Sequence, residues 1–189
     1  MFQWIANFLG GGEFLPSNFI MDILADLVCG TFLIEELCES VLFVLCGFDQ
    51  VQMNATMLET IVHHTPAGTS TNAVIHYAQE VQSGRFTRFD YGKDGNNELY
   101  GQDTPPELSI EAITIPVASY WSQNDWLAQP QDVLRFLSKV PHDMNLLSYE
   151  VPFEAWNHLD YLWGIDAKDI LYPKIIETMD NFQKMHHEI

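Results

Sequence analysis

Basic residues are scarce in this chain. Lys and Arg number 8 in 189 residues against 26 Asp and Glu, a net charge of -18. Phosphate binding needs clustered Lys and Arg, so the deficit argues against nucleic acid as a partner. The same deficit argues against electrostatic docking to anionic lipid at neutral pH. In acid, carboxylates with ordinary pKa values near ~4 begin to take up protons and self-repulsion falls, so an acidic working compartment fits the composition. Long apolar runs are also missing, and none reaches the roughly 18 residues of a membrane span. The start, Met1 to Gly12, is apolar but has no basic residue, which makes it a poor signal peptide. There is no internal repeat and no low-complexity tract. Cysteine occurs three times, an odd count. In a secreted protein that implies one bridge and one free thiol or an intermolecular bond; in a reducing cytosol it implies three buried thiols. Finally, no Gly-x-Ser-x-Gly occurs. The nearest match, Gly68-Thr69-Ser70-Thr71, lacks the second glycine and any preceding strand.

What is present is a 47% hydrophobic chain, enough for one sizeable core. Phe19, Ile20, Ile23, Leu24, Leu27 and Val28 recur at amphipathic-helix spacing, with Ser17 or Asn18 as candidate N-cap. A second helix is expected from Phe32 to about Cys46, where Gly47 is placed to end it. Shorter helices are expected at Thr56 to His63 and at Asn72 to Ser83, stopping at Gly84. Phe86 to Glu111 is rich in Gly, Asn, Asp and Pro and reads as loop. A long final helix is expected from about Ala167 to His186.

Between loop and final helix two segments share one layout. Ile115-Pro116-Val117-Ala118-Ser119-Tyr120-Trp121 is an apolar, β-rich run that stops at Ser122-Gln123-Asn124-Asp125. Leu146 to Pro152 is a second run, leading through Phe153 to Asn157 into His158-Leu159-Asp160, and helical Gln131 to Lys139 lies between the two. Strand, acid, helix, strand, histidine is the order of the last two members of the Ser-Asp-His triad in α/β hydrolases. Alone, Asp125 reads as a turn residue and His158 as a satisfied loop histidine. Asp160 competes with Asp125 as the acid, but a carboxylate two residues from the histidine would seldom reach the outer imidazole nitrogen in line.

The wording around these positions resembles the acid lipases, the gastric and lysosomal family that hydrolyses triacylglycerols and cholesteryl esters. The resemblance runs from Phe14-Leu15-Pro16 to about Met179. It passes through Cys46-Gly47-Phe48-Asp49, His64-Thr65-Pro66-Ala67-Gly68-Thr69-Ser70, Asp90-Tyr91-Gly92, Tyr100-Gly101-Gln102, Asn124-Asp125-Trp126-Leu127-Ala128 and Asn157-His158-Leu159-Asp160. It implies the C-terminal part of an α/β-hydrolase fold with an incomplete sheet. Residues 1–110 would be a helical cap segment and return loop, and residues 111–189 the last two strands and helices of the core. Asp125 matches the triad acid and His158 the base; the serine elbow and oxyanion hole belong to an N-terminal half of the hydrolase domain not contained in these 189 residues.

A serine hydroxyl is a weak nucleophile until a neutral imidazole takes its proton, and a carboxylate on the other ring nitrogen holds the required tautomer. The activity that the resemblance implies is neutral-lipid ester hydrolysis through a triad of which Asp125 and His158 are present. The alternative is an inactive remnant that binds lipid or a partner. No cofactor is implied. The resemblance also implies that Cys29 pairs with Cys38 while Cys46 stays a free thiol, and that the parent is secreted or lysosomal. Asn54-Ala55-Thr56 is a candidate glycosylation site. His63-His64 and His186-His187 complete no zinc pattern, so no metal is expected. The aromatic and aliphatic stripe from Phe14 to Phe48 reads as cap packing, and the resemblance adds contact with an acyl chain or lipid–water interface.

Overall fold

In a computed structural model, residues 13–14, 46–64 and 68–187 are described. The helix expected at Phe19 to Val28, most of the one from Phe32, and Cys29 and Cys38 lie outside them. Cys46 is helical and is followed by Gly47 at φ 109°, a backbone conformation that glycine adopts without strain. The chain forms two compact units, Met1–Leu27 with Thr60–Ser109, and Val28–Glu59 with Ile110–Ile189. Helix α1, Ala55–His64, crosses from one to the other along the chain.

In the first unit β1 (Glu13–Phe14) pairs antiparallel with β2 (Thr69–Ser70). Helix α2 (Thr71–Ser83) follows at once, because the Ser70 hydroxyl accepts from the Asn72 N–H. It ends at Gly84, whose φ of 62° turns the chain out of the helix. The stretch expected to be loop contains a helix, α3 (Gly92–Tyr100), and a short 3-10 turn at Ile110–Ala112. Its polar residues organise the helix instead of breaking it. Asp90 Oδ1 accepts from the Gly92 N–H and from Asn96 Nδ2, Asn96 Oδ1 accepts from the Tyr91 N–H, and Asn97 Nδ2 donates to Asp103.

The second unit holds β3 (Val117–Trp121), α4 (Pro130–Lys139) and β4 (Asn145–Glu150). The strands are parallel, with Trp121 opposite Glu150 and one irregularity between Val117 and Ala118. A parallel pair needs a crossover, and α4 lies on it. Proline at the first position, Asp132 in the first turn and Lys139 in the last agree with the helix polarity. The helix stops at Val140, held extended ahead of Pro141. Beyond β4 come α5 (Asp160–Trp163), α6 (Ala167–Ile170) and α7 (Tyr172–His187). The single final helix expected from the sequence is thus broken at Leu171, where Pro173 removes an N–H from the ladder and starts a new helix. Val151, Trp156, Ala167 and Leu171 form the core, with Tyr120, Phe153, Tyr161 and Ile175 packed on it. Among the described residues no helix is long and apolar enough to cross a membrane.

Candidate active site

The site lies at the C-terminal ends of β3 and β4, the end of a parallel sheet where α/β proteins bind ligands. Beyond β3, Asn124 Nδ2 donates to the carbonyls of Phe48 (2.9 Å) and Ala155 (2.7 Å), so one side chain spans two neighbouring segments. Asp125 closes a turn, its Oδ1 accepting from the N–H groups of Leu127 (3.0 Å) and Ala128 (2.7 Å). Beyond β4, Asn157 Oδ1 accepts from the N–H groups of Leu159 and Asp160 while Asp160 Oδ2 accepts from the Asn157 N–H at 2.6 Å. This reciprocal pair resembles a helix capping box and leads into α5.

The two loops meet at one backbone atom. The Cys46 carbonyl accepts from both Trp126 N (3.4 Å) and His158 N (3.2 Å). Next to it the Gly47 carbonyl accepts from Asn157 Nδ2 at 3.0 Å. A Cβ on Gly47 would overlap the Asn124 carbonyl, so only glycine permits this approach. Further along, the Gln52 side chain exchanges two hydrogen bonds with Asp166, donating to its carboxylate and accepting from its N–H.

This scaffold brings His158 Nδ1 to 3.0 Å from Asp125 Oδ2 and 3.1 Å from Oδ1. The Asp125 side chain is 4% exposed and the His158 ring 42%. Burial pushes the Asp125 carboxyl up, but the His158 hydrogen bond, the Ala128 and Leu127 N–H groups and the imidazolium charge outweigh it and hold the carboxyl below the usual range. The hydrogen bond to Asp125 raises His158, opposed by burial and reinforced by the carboxylate charge. An ionised carboxylate only accepts, so Nδ1 carries the proton of the neutral ring and Nε2 is left as a base.

Asp160 does not touch the imidazole in this arrangement; its carboxylate serves the Asn157 N–H. The spacing Asn-x-x-Asp was the signal for that duty. Cys46 is a buried free thiol pushed up to about 11, first by burial and then by the charges of Asp125 and Asp160. The Asn54 side-chain Oδ1 accepts from the Thr56 hydroxyl at 2.7 Å. Ser122, fully buried, accepts from the Tyr161 hydroxyl at 3.0 Å and belongs to the packing under the dyad. Among the described residues no three His, Cys, Asp or Glu gather around a metal position. Beside Asp125, the partly exposed rings of Phe48 and Trp126 meet edge to face at 5.6 Å.

No family model matches the chain. Individual proteins do. A gastric triacylglycerol lipase from Rattus norvegicus is 41% identical over 171 residues, 90% of this chain and 42% of the relative. The lysosomal acid lipase/cholesteryl ester hydrolase of Homo sapiens is 35% identical over 180 residues, 95% of this chain and 44% of that protein. Lipase lipl-1 of Caenorhabditis elegans is 39% identical over 179 residues, 91% of this chain and 42% of its own length. The chain therefore spans less than half the length of the curated relatives it matches.

Proposed function

The chain belongs to the acid lipase family along the nine-tenths of its length that these relatives match, and from that premise we propose that it supplies the acid and base of a Ser-Asp-His triad hydrolysing neutral-lipid esters, triacylglycerols or cholesteryl esters. His158 takes the proton of a serine Oγ on Nε2 as that oxygen attacks the acyl carbonyl. It then gives the proton to the departing alcohol, and in the second half-reaction it activates water against the acyl-enzyme. Asp125 orients the ring and stabilises the imidazolium. The serine would come from a Gly-x-Ser-x-Gly elbow, a pattern these 189 residues do not contain. Residues 1–110 would form the cap and return loop and 111–189 the end of an α/β-hydrolase core, with Cys46 to Gln52 reaching from the first into the site. The names of the relatives favour a secreted or lysosomal setting.

The observation that carries this reading is the 3.0 Å contact between His158 Nδ1 and Asp125 Oδ2, with the rest of the ring half-exposed. A raised imidazole is a poor base in acid. Covering the open ring with an acyl chain or a serine-bearing segment takes it out of water and lowers its pKa toward the range where Nε2 is free. The exposed Phe48 and Trp126 rings are suited to contact that acyl chain.

A chimera tests the proposal: this chain in place of the matching segment of the rat gastric lipase, assayed on an emulsified triacylglycerol. Hydrolysis is expected, together with labelling of the elbow serine by an organophosphonate. A chimera that unfolds in one cooperative transition yet neither hydrolyses nor is labelled would favour the second reading, a lipid- or partner-binding remnant.

A further inference from the structure

Two carboxyl groups at the site have no part in the triad. Asp49 is 2% exposed and Asp160 3%. Asp49 Oδ1 accepts from the N–H groups of Val51 (2.9 Å) and Gln52 (3.1 Å), but its Oδ2 is buried with no hydrogen-bond donor. An orphaned buried carboxylate oxygen is costly. The Asp160 side chain lies within hydrogen-bonding reach of Asp49. A proton on the Asp160 oxygen not engaged by Asn157 would fill the vacancy, donating to Asp49 Oδ2.

We propose that Asp49 and Asp160 share one proton, and that this proton clips the Cys46–Gln52 segment to the Asn157–Asp160 turn, making Asp160 a positioning residue for His158. The clip brackets the histidine. Asp160 holds the N–H of Asn157, Asn157 holds the N–H groups on the far side of His158, and the Cys46 carbonyl holds the N–H of His158 itself. When both carboxyls ionise, two negative charges face each other in a buried site. The groups around them offer no relief. Cys46 is a neutral thiol, Tyr161 a neutral phenol bonded to Ser122, Asp125 is negative, and Asp166 is engaged by Gln52. Among the described residues the one nearby cation, protonated His158, is paired with Asp125.

Burial, opposed by the Asn157 N–H and reinforced by the charge and hydrogen bond of Asp49, pushes Asp160 up to about 7. A carboxyl with a raised folded pKa makes its full contribution at low pH, where both folded and unfolded chains hold the proton. That contribution fades from the unfolded value of about 4 to the folded value near 7. The clip is therefore closed in acid and released toward neutral pH.

The test reads titration and stability of the 189-residue chain, so its failure is distinct from failure of the lipase reading. With ¹³C-labelled aspartate, one carboxyl resonance should titrate near 7 and vanish in Asp160→Asn. In Asp49→Asn it should drop by about one unit or more, because a charge is replaced by a neutral amide. Asp160→Asn mimics the protonated acid, accepting from Asn157 and donating to Asp49. Its urea midpoint relative to the parent should rise from pH 5 to pH 8, whereas Asp160→Ala should lie below the parent at pH 5. If all aspartates titrate below about 5.5, or if Asp160→Asn lowers the midpoint equally at both pH values, the shared proton does not exist.

Discussion

The segment around Asp90 to Asp103 and the loops around Asp125 and Asp160 are built from the same two side chains, yet they hold charge in opposite ways. In the first, exposed Asp90, Asn97 and Asp103 tie α3 together around the buried Asn96 side chain, and Asp103 is lowered by hydrogen bonds from Asn97 and Lys93. In the second, Asp49, Asp125 and Asp160 are all buried, each in its own turn. One is lowered by a histidine and two N–H groups; another is raised by burial and a neighbouring carboxyl. Water supplies any missing donor at the first site, so its carboxylates can all stay ionised. At the second site no such supply exists, and the carboxyls must divide into ionised and protonated members. That division is what leaves Asp125 free to hold His158 while Asp160 holds the chain.

The comparison can be broken most forcefully at the dyad. In an active chimera, Asp125→Asn and His158→Ala should each reduce kcat by roughly 10³-fold or more, since triad members act as a unit. His64→Ala should leave kcat unchanged, since Asp125 and His158 already supply the acid and the base. Next in size is the core beneath the dyad. Trp156 is fully buried and meets Phe153 and Tyr161 edge to face. Trp156→Ala should cost about 3–5 kcal/mol in urea unfolding.

The two asparagines sharpen the contrast. Asn157→Ala would strand the Gly47 carbonyl and two N–H groups in a buried turn, at a cost of about 3 kcal/mol. Asn96 is itself buried, but its partners Asp90, Tyr91 and Asp103 are exposed and can turn to water, so Asn96→Ala should cost about 1–2 kcal/mol. Asp103→Asn, in the exposed network, should leave the midpoint unchanged within error. The pH dependence of the dyad is smaller still, with a definite sign. Stability from the lowered Asp125 is present above its unfolded pKa and lost as pH falls through the folded one. Stability from the raised His158 is present below its unfolded pKa and lost as pH rises through the folded one. The pair should thus contribute most between about pH 4 and 6.5, and Asp125→Asn should flatten both limbs of a stability–pH curve.

Strands β3 and β4 and helix α4 were legible because their signals are local: apolar β-rich runs, a proline opening the helix and another closing it. So was the order of Asp125 and His158 behind the strands. Helix α3 was not, because Asn, Asp and Gly read as breakers unless one knows which carboxylate accepts from which N–H. The break at Leu171 could have been read from Pro173, and the capping role of Asp160 from its distance to Asn157. The Cys46 carbonyl left no such trace. Its partners are backbone groups far along the chain, and backbone has no sequence. The pairing expected of Cys29 with Cys38 falls outside the described residues.

The central claim is that Asp125 fixes His158 with its proton on Nδ1 and Nε2 open as the base, and ¹⁵N NMR of the labelled imidazole reads this directly. The account predicts a neutral ring at high pH with Nδ1 protonated and Nε2 bare, a titration above the ordinary histidine value, and a fall toward that value in Asp125→Asn. A ring protonated on Nε2, or a titration that Asp125→Asn leaves in place, would contradict it.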